Sequence, residues 1–446
     1  MTVAFYTLGC KLNQSETESI AASFQHNGFS VVGHSQLADI YIINTCTVTS
    51  KSDQKARRIV RLLDTAHPNA MIILTGCYAE VEQEKLRELF ETKSFIAVIP
   101  QSRKSLLMEL PQQVAGHADF SQLSRLEKYN LFQQIKKNLQ QGNVFALNNS
   151  DYLFHSRAFL KIQDGCDGRC AYCRVPLARG KARSLEDTAI VERVQLLQQQ
   201  GFREIVLTGV NITAYQHADV DFIGLLRKLL AVTRGVRYRV SSLEPEKITS
   251  RLAEVLSHER ICPHFHIPVQ SGSDSILQRM RRRYTVERLV EGTKLLRSIK
   301  PDAFFAADVI VGFPGETDED FKATRKLLSQ LEFSKLHVFP FSSRPGTDAV
   351  NLGGHIPEKT VTDRVKDLVQ WSEKRKDEYL NQFAGRTTEV ILEKEVNKKL
   401  WVGTSGESIR CRVDNIPGTA ARKRALIKAT ISGVKEPCNG VFLSEG

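Results

Sequence analysis

Over the first hundred residues, short apolar runs alternate with amphipathic stretches. The runs are VAFYTL (3–8), DIYIINT (39–45), AMIILT (70–75) and FIAVIP (95–100). Between them lie three helical patterns. One is opened by Ser15 with Glu18 three residues on and closes near Gly28, one is a basic helix through QKARRIVRLLD, and one runs through EKLREL. Strand-sized runs separated by helix-sized segments predict an open parallel sheet with crossover helices. The stretch from Glu109 to Asn149, rich in Gln and Asn, reads as a connector with some helix.

The alternation resumes with AFLKI (158–162), EIVLTG (204–209), VRYRVSS (236–242), FHIPVQS (265–271), FFAADVIVGF (304–313) and KLHVFPF (335–341). Six βα units predict a partial (β/α)6 barrel. A long helical pattern from Pro357 to Gln382 leads into TEVILEKE, KKLWVGTS, SIRCRV and RALIKATISGV, strands without helices between them, which predict a small antiparallel β-barrel. The fold class is α/β, with an N-terminal domain over 1–110, a connector over 111–150, the barrel over 151–383 and the small barrel over 384–446.

Composition narrows the class. The chain has 446 residues, 41% of them hydrophobic and 25% charged, an ordinary globular balance with room for several cores. The apolar N-terminal segment lacks a basic leader, and no apolar run reaches membrane-spanning length, so the expectation is a cytoplasmic protein without a membrane partner. The formal charge of +12 suits a polyanionic partner, although a solvated surface also accounts for such an excess. Nine cysteines in a chain this long point to intracellular thiols that bind metal rather than to a disulfide framework.

The cysteines carry the chemistry. Cys10, Cys46 and Cys77 each follow one of the first three predicted strands, where open parallel sheets gather their ligands. The other reading of each is a small buried hydrophobe. Cys166, Cys170 and Cys173 form C-x3-C-x2-C in the loop after the first barrel strand. Structural zinc sites close a tetrahedron with four ligands, and no second pair follows here. Three thiolates on a cubane iron–sulfur cluster leave one iron open to a small molecule.

With Tyr172 inside it, that motif resembles the radical S-adenosylmethionine enzymes from about Arg157 to Arg344. Three scattered cysteines before such a core and a small β-barrel after it resemble the methylthiotransferases almost end to end. TLGCKLNQSETE and RAFLKIQDGC are similar to the branch acting on N6-threonylcarbamoyladenosine at position 37 of tRNA; the isopentenyladenosine and ribosomal-protein branches are the alternatives. From another class, a non-catalytic zinc-bearing RNA-binding protein would share the thiols and the charge.

The resemblance implies two [4Fe-4S] clusters, one on Cys10, Cys46 and Cys77 and one on Cys166, Cys170 and Cys173, with S-adenosylmethionine on the second. It implies a terminal TRAM domain gripping RNA, the anticodon stem-loop of tRNA as partner, and an electron donor such as flavodoxin or ferredoxin. Tyr172, Gly209, Asn211, Ser242, Glu244, Gln270 and Gly312, at the ends of successive strands, become cofactor-binding candidates. Asp308 becomes the catalytic candidate, and Arg179 and Arg283 the partners of a substrate carboxylate. Arg169, Arg174, Lys181, Arg183, Arg279, Arg281 and Arg282 add charge for RNA phosphates. His264 and His266 read as satisfied core or rim groups. Two departures from the family pattern stand out: Arg174 after the third cysteine, and Ser408 where an aromatic would stack on a base.

Overall fold

A computed structural model of the protein describes residues 1–138, 143–147, 151–397, 400–414, 422–433 and 437–445. Lys398, Lys399 and Val434, which belong to two of the predicted terminal strands, lie outside the described residues. The chain groups into two compact units. The first comprises Met1–Phe154, Phe159–Gly168 and Cys173–Arg183, and the second His155–Ala158, Arg169–Tyr172 and Ser184–Gly446.

In the first unit, five parallel strands stand in the spatial order Ser30–Val32, Thr2–Thr7, Ile40–Thr45, Met71–Gly76, Ala97–Pro100. Ser30–Val32 is an edge strand the apolar pattern did not announce, because three residues are too few to show a period. Strand order reverses between Thr2–Thr7 and Ile40–Thr45. That makes this pair the topological switch point, where loops splay apart and leave a crevice. Ile40–Thr45 and Met71–Gly76 are buried along their whole lengths, as parallel strands covered on both faces must be.

One face packs on Ile20 and Phe24 of helix Lys11–His26 together with Leu107, Leu110, Phe120 and Phe132. The stretch expected to be a connector therefore supplies core. Its helices Leu106–Ala115 and Arg125–Asn138 cover the sheet, and their apolar positions were masked in the sequence by the surrounding Gln and Asn. The opposite face packs on Ala56, Val60 and Leu63 of helix Ser50–Ala66. A second expectation is corrected here: Ser15 and Glu18 do not open the first helix. Cys10 is its N-cap, Ser15 Oγ donates to the Phe159 carbonyl at 2.6 Å, and Glu18 accepts the Leu153 N–H at 2.7 Å.

In the second unit, Glu204–Thr208, Arg237–Val240, His264–Gln270, Phe304–Val311 and Lys335–Pro340 run parallel, the middle ones joined through the bridges Tyr238–Ile261 and Ser242–His266. These are five of the six expected barrel strands; the remaining one, Ala158–Lys161, has its last three residues in the first unit. The terminal strands Thr387–Asn397, Leu400–Ser405, Arg410–Asp414, Leu426–Ile431 and Cys438–Glu445 close a barrel. The last of these was not expected. Its pairing with Arg410–Asp414 is parallel, so the small barrel is not purely antiparallel. Among the described residues, no helix is long and apolar enough to cross a membrane.

A buried ion network ties the two barrels of the second unit together. Glu204, wholly buried, accepts from Arg239 at 2.7 Å and Arg237 at 2.8 Å, with Arg157 at 3.6 Å. The same guanidiniums reach into the small barrel: Arg237 to the Thr404 carbonyl, Arg239 to the Ser405 carbonyl and Ser408 Oγ. Ser408, at φ 65°, accepts from Arg239 at the barrel seam, so the position that departs from an aromatic serves the ion network. Burial alone would raise the Glu204 carboxyl, yet the arginines outweigh it and hold it far below the usual glutamate range. A depressed carboxyl contributes stability above its ordinary pKa near 4.5 and loses it only in stronger acid, so the network is at full strength at neutral pH. Glu204→Gln leaves the buried guanidiniums uncompensated and is expected to cost about 3–5 kcal/mol of stability at pH 7. Calorimetry should show a lowered melting transition; a wild-type melting temperature would mean that the network is energetically neutral.

Candidate active site

Three strand ends of the first unit bring Cys10, Cys46 and Cys77 together at the switch point. Cys10 caps helix Lys11–His26, Cys46 follows Ile40–Thr45, and Cys77 begins the short helix Cys77–Val81 after Met71–Gly76. Two glycines allow the approach. A Cβ on Gly9 (φ 106°) would sit 2.5 Å from Cys46 Cβ, and one on Gly76 (φ 103°) would sit 2.3 Å from the Thr45 carbonyl. The thiols feel one another: burial first, then Cys10 and Cys77, push the Cys46 thiol up to about 12.

Beneath Cys77 lies a dry cluster of charge. Glu16 accepts from Lys104 at 2.7 Å, Lys161 at 2.8 Å and Arg179 at 2.9 Å; Asp164 accepts from Lys161 at 2.5 Å and Arg179 at 3.0 Å. Asn13 receives Arg179 Nη2 at 2.7 Å and donates to the Leu8 and Thr45 carbonyls, stitching two strand ends to the cluster. Burial would raise the Glu16 carboxyl, but Arg179, Lys104 and Lys161 outweigh it and hold it well below its ordinary range. Burial also raises the Cys77 thiol, against the pull of Arg179 and Lys104. Three cations against two carboxylates leave a surplus of positive charge under the thiols, which fits a group of net negative charge such as a thiolate-ligated iron–sulfur cluster. A closed structural zinc site asks for four protein ligands, and three thiols at strand ends do not complete that set.

The C-x3-C-x2-C cysteines are all partly exposed, and each sulfur accepts a hydrogen bond. In the first unit, Gly168 N–H donates to Cys166 Sγ at 3.2 Å and Val175 N–H to Cys173 Sγ at 3.4 Å. In the second, Arg282 Nη1 donates to Cys170 Sγ at 3.3 Å while its Nη2 holds Glu244. Donors aimed at ligand sulfurs stabilise negative charge on them and tune the potential of a bound cluster. Tyr172 packs edge-on against Phe313, with ring centroids 6.3 Å apart.

The remaining cofactor candidates follow their strands as expected. Glu244 lies after Arg237–Val240, and burial raises its carboxyl in spite of Arg282. Ser242 bridges to His266. Gln270 ends its strand at φ 58°, a left-handed conformation costly for a side chain that bears a Cβ, at a register shift against Phe304–Val311. Asn211 and Gly209 sit after Glu204–Thr208, with Asn211 Oδ1 accepting from Thr213 at 2.7 Å. Gly312 N–H donates to Glu316 at 2.7 Å, and a Cβ there would strike Val361, which makes this glycine a packing position. Ser241 Oγ and Arg282 Nε are buried with no hydrogen-bond partner among the described residues, so polar groups near these strand ends remain for a ligand to satisfy.

The basic residues divide sharply. Arg179 is 3% exposed and spent on Glu16, Asp164 and Asn13, so it does not stand open for a substrate carboxylate. Arg174, 4% exposed, pairs with Glu82 at 2.8 Å and is no surface phosphate contact. Arg279 binds the Pro314 and Gly353 carbonyls, and Arg281 pairs with Asp348. Arg169, Lys181, Arg183 and Arg283 are exposed. His266, read from the sequence as a satisfied core or rim group, lies 2.9 Å from Asp308, which accepts from it; sequence reasoning passed over His337, which lies opposite Asp308 in the strand register. Only the pairing of strands, which spacing does not reveal, brings the two histidines together.

Comparison with known proteins adds to this geometry. The radical SAM superfamily model matches residues 160–328, and the model of the uncharacterized protein family UPF0004 matches 2–97. The chain is 37% identical to a threonylcarbamoyladenosine tRNA methylthiotransferase of Treponema pallidum, over 93% of this chain and 98% of that protein. It is also 37% identical to one of Bacillus subtilis, over 88% of this chain and 85% of the other. It is 31% identical to a tRNA-2-methylthio-N(6)-dimethylallyladenosine synthase of Endomicrobium trichonymphae, over 89% and 90%. In fold it is similar to the radical S-adenosylmethionine methyltransferase TsrM of Kitasatospora setae, with TM-score 0.53 and 13% identity over 78% of this chain and 76% of that one. With such likeness along nearly its whole length, the chain belongs to the radical S-adenosylmethionine tRNA methylthiotransferases, enzymes that work with S-adenosylmethionine and [4Fe-4S] clusters.

Proposed function

We propose that this enzyme inserts a methylthio group at C2 of N6-threonylcarbamoyladenosine, or its cyclic form, at position 37 of tRNA. The observation that carries the reading is the 37% identity, over 93% of the chain, with a relative named for that nucleoside, against 31% for one named for the dimethylallyl nucleoside. The partners in this reading are the anticodon stem-loop and a one-electron donor such as flavodoxin or ferredoxin, in the cytoplasm.

Each triplet of cysteines would hold one cluster. Bound together, the Cys166/Cys170/Cys173 cluster and S-adenosylmethionine supply the one-electron chemistry that an unactivated aromatic C–H bond needs. The chain's own part is to hold and orient. Arg282 ties Cys170 to Glu244, and the strand ends carrying Asn211, Ser242, Glu244 and Gln270 offer polar groups for the cofactor's ribose and amino acid moiety. In the first unit, Arg179 and Lys104 act as positioning residues, offsetting the charge of a group held by Cys10, Cys46 and Cys77. Arg283, which is exposed, is the second arginine proposed for the threonyl carboxylate.

For RNA, the first unit offers helix Ser50–Ala66, where Lys51, Lys55, Arg58 and Arg61 are exposed at helical spacing. Arg57, Arg58 and Arg61 also line a cavity of about 350 Å³. A row of cations at that pitch suits a phosphate backbone.

Three outcomes are expected. Anaerobically loaded protein should lose about half its iron when Cys10, Cys46 and Cys77 are changed to Ala, and Arg179→Met, with every thiol intact, should lower iron at the same cluster. Iron content indifferent to both changes would remove these residues from cluster binding. Reversing Lys55, Arg58 and Arg61 to Glu should weaken tRNA binding about tenfold or more at moderate salt and flatten its salt dependence, measured by filter binding. An unchanged affinity would take the helix out of the interface. Finally, tRNA bearing threonylcarbamoyladenosine should gain the methylthio mass while tRNA bearing isopentenyladenosine should not; equal conversion of both would overturn the choice of nucleoside and leave the enzyme class standing.

A further inference from the structure

In the large barrel of the second unit, Asp308, the catalytic candidate of the sequence, stands with two histidines in a compact donor set. Strands His264–Gln270, Phe304–Val311 and Lys335–Pro340 are neighbours. On one face Phe265, Phe305, Ala307 and Val309 are fully buried, with Arg297 of helix Val286–Ile299 lying over Phe305. Side chains alternate along a strand, so His266, Ala306 and Asp308 face the other way, and the register Asp308–His337 puts His337 on that same face. His266 Nε2 lies 2.9 Å from Asp308 Oδ1, and the two imidazoles stand 5.5 Å apart, nearly perpendicular. One ligand atom from each of the three residues falls within 4.8 Å of the others.

We propose that His266, Asp308 and His337 bind a divalent transition-metal ion on this face of the barrel. Two imidazoles and one carboxylate suit borderline ions such as Mn²⁺, Fe²⁺, Co²⁺ or Zn²⁺. The distances agree. Donors on adjacent positions of a six-coordinate ion with bonds of about 2.1 Å are about 3.0 Å apart, and tetrahedral neighbours about 3.4 Å. The His266–Asp308 separation already has that value, and a rotamer adjustment of His337, which is exposed, closes the third edge.

Charge points the same way. Asp308 pairs with His266, whereas Arg282 is committed to Glu244, a second carboxyl near enough to feel the charge on Asp308. A cation between the imidazoles would offset the charge of the Asp308 carboxylate. His266 and Asp308 remain 22% and 27% exposed, so an ion held by three protein atoms would keep open positions for water or an oxygen ligand. A hydrogen-bonded His–Asp pair alone would not call for the second imidazole. The inference is independent of which nucleoside is modified.

The test uses full-length, cluster-loaded enzyme under argon, with Mn²⁺ as the probe and its free-ion electron paramagnetic resonance signal as the readout; oxidised [4Fe-4S] clusters are silent in that measurement. Binding should saturate at about one ion per chain and be displaced by Zn²⁺, as the order of divalent-ion affinities requires. His337→Ala and Asp308→Asn should each weaken it at least tenfold, with iron content and melting temperature retained, and the exposed control Glu254→Gln should leave it unchanged. His337 is exposed, so its replacement does not put folding at issue. Sub-stoichiometric binding, or binding equal in all variants, overturns the proposal. So does an absence of Mn²⁺ binding coupled to a raised KM for tRNA in His337→Ala, which would assign the three residues to direct contact with RNA.

Discussion

Glu16 is the group on which the cysteine-bearing ends of the first unit depend. It projects from the helix that begins at Cys10, is wholly buried, and receives Lys104, Lys161 and Arg179 from three segments far apart in the chain. A lone carboxylate without water would be held at a cost of several kcal/mol, and so would each cation, so the members are tolerable only together. Mutual need makes the cluster a clamp. It fixes helix Lys11–His26, the turn after Ala97–Pro100 and the segment following Cys173 in one arrangement, and that arrangement sets where the cysteines stand. The clamp is not neutral, and its surplus of positive charge lies under thiols that burial would otherwise keep protonated. Metal ligation, as proposed for these cysteines, would resolve both halves of that tension, because it would take the thiol protons and set negative charge over the cations.

That clamp also accounts for the motif TLGCKLNQSETE, which in the sequence carries a resemblance and no mechanism. Gly9 permits the close approach to Cys46, Cys10 caps the helix and offers its thiol, Asn13 bridges two strand ends to Arg179, and Glu16 anchors the cations. Ser15 and Glu18 spend their polar atoms on the backbone of Phe159, Leu153 and Phe154. Their spacing matches a capping box, but a hydroxyl followed three residues later by a carboxylate also describes neighbouring positions on one buried helix face. Local pattern does not choose between those until the tertiary partners are known.

What was legible follows the same division. Strand runs, their parallel sense, the five barrel strands of the second unit and the cysteine spacing all rest on local periodicity, and the structure has them. Ser30–Val32 and the parallel fifth strand of the terminal barrel were missed because a short strand is fixed by its neighbours rather than by its own alternation. The helices Leu106–Ala115 and Arg125–Asn138 were misjudged because amide-rich composition hid Leu107, Leu110 and Phe132. Net charge left a different question open. An excess of arginine reads as an invitation to phosphate, yet Arg174, Arg179, Arg237, Arg239 and Arg282 point inward to carboxylates. Sequence records how many guanidiniums there are; only the fold says which have been used.

The second unit repeats the device with a different consequence. Glu204 sits under Arg237 and Arg239, and these same arginines bond to carbonyls of the terminal barrel, while Phe304 and Ala306 from the large barrel pack into the small barrel's core with Trp401 and Ile409. The two barrels of this unit therefore share one core and one ion network. Removing the small barrel would strip carbonyl partners from buried guanidiniums and expose apolar surface, at a cost that reaches the strands carrying Glu244 and Asp308. A loss of tRNA binding on truncation would then report damage to the large barrel as much as loss of a contact. Whether the small barrel holds RNA has to be tested instead at side chains that leave this seam untouched: Arg410 and Arg412, exposed on the outer side of their strand and alternating with buried Cys411 and Val413.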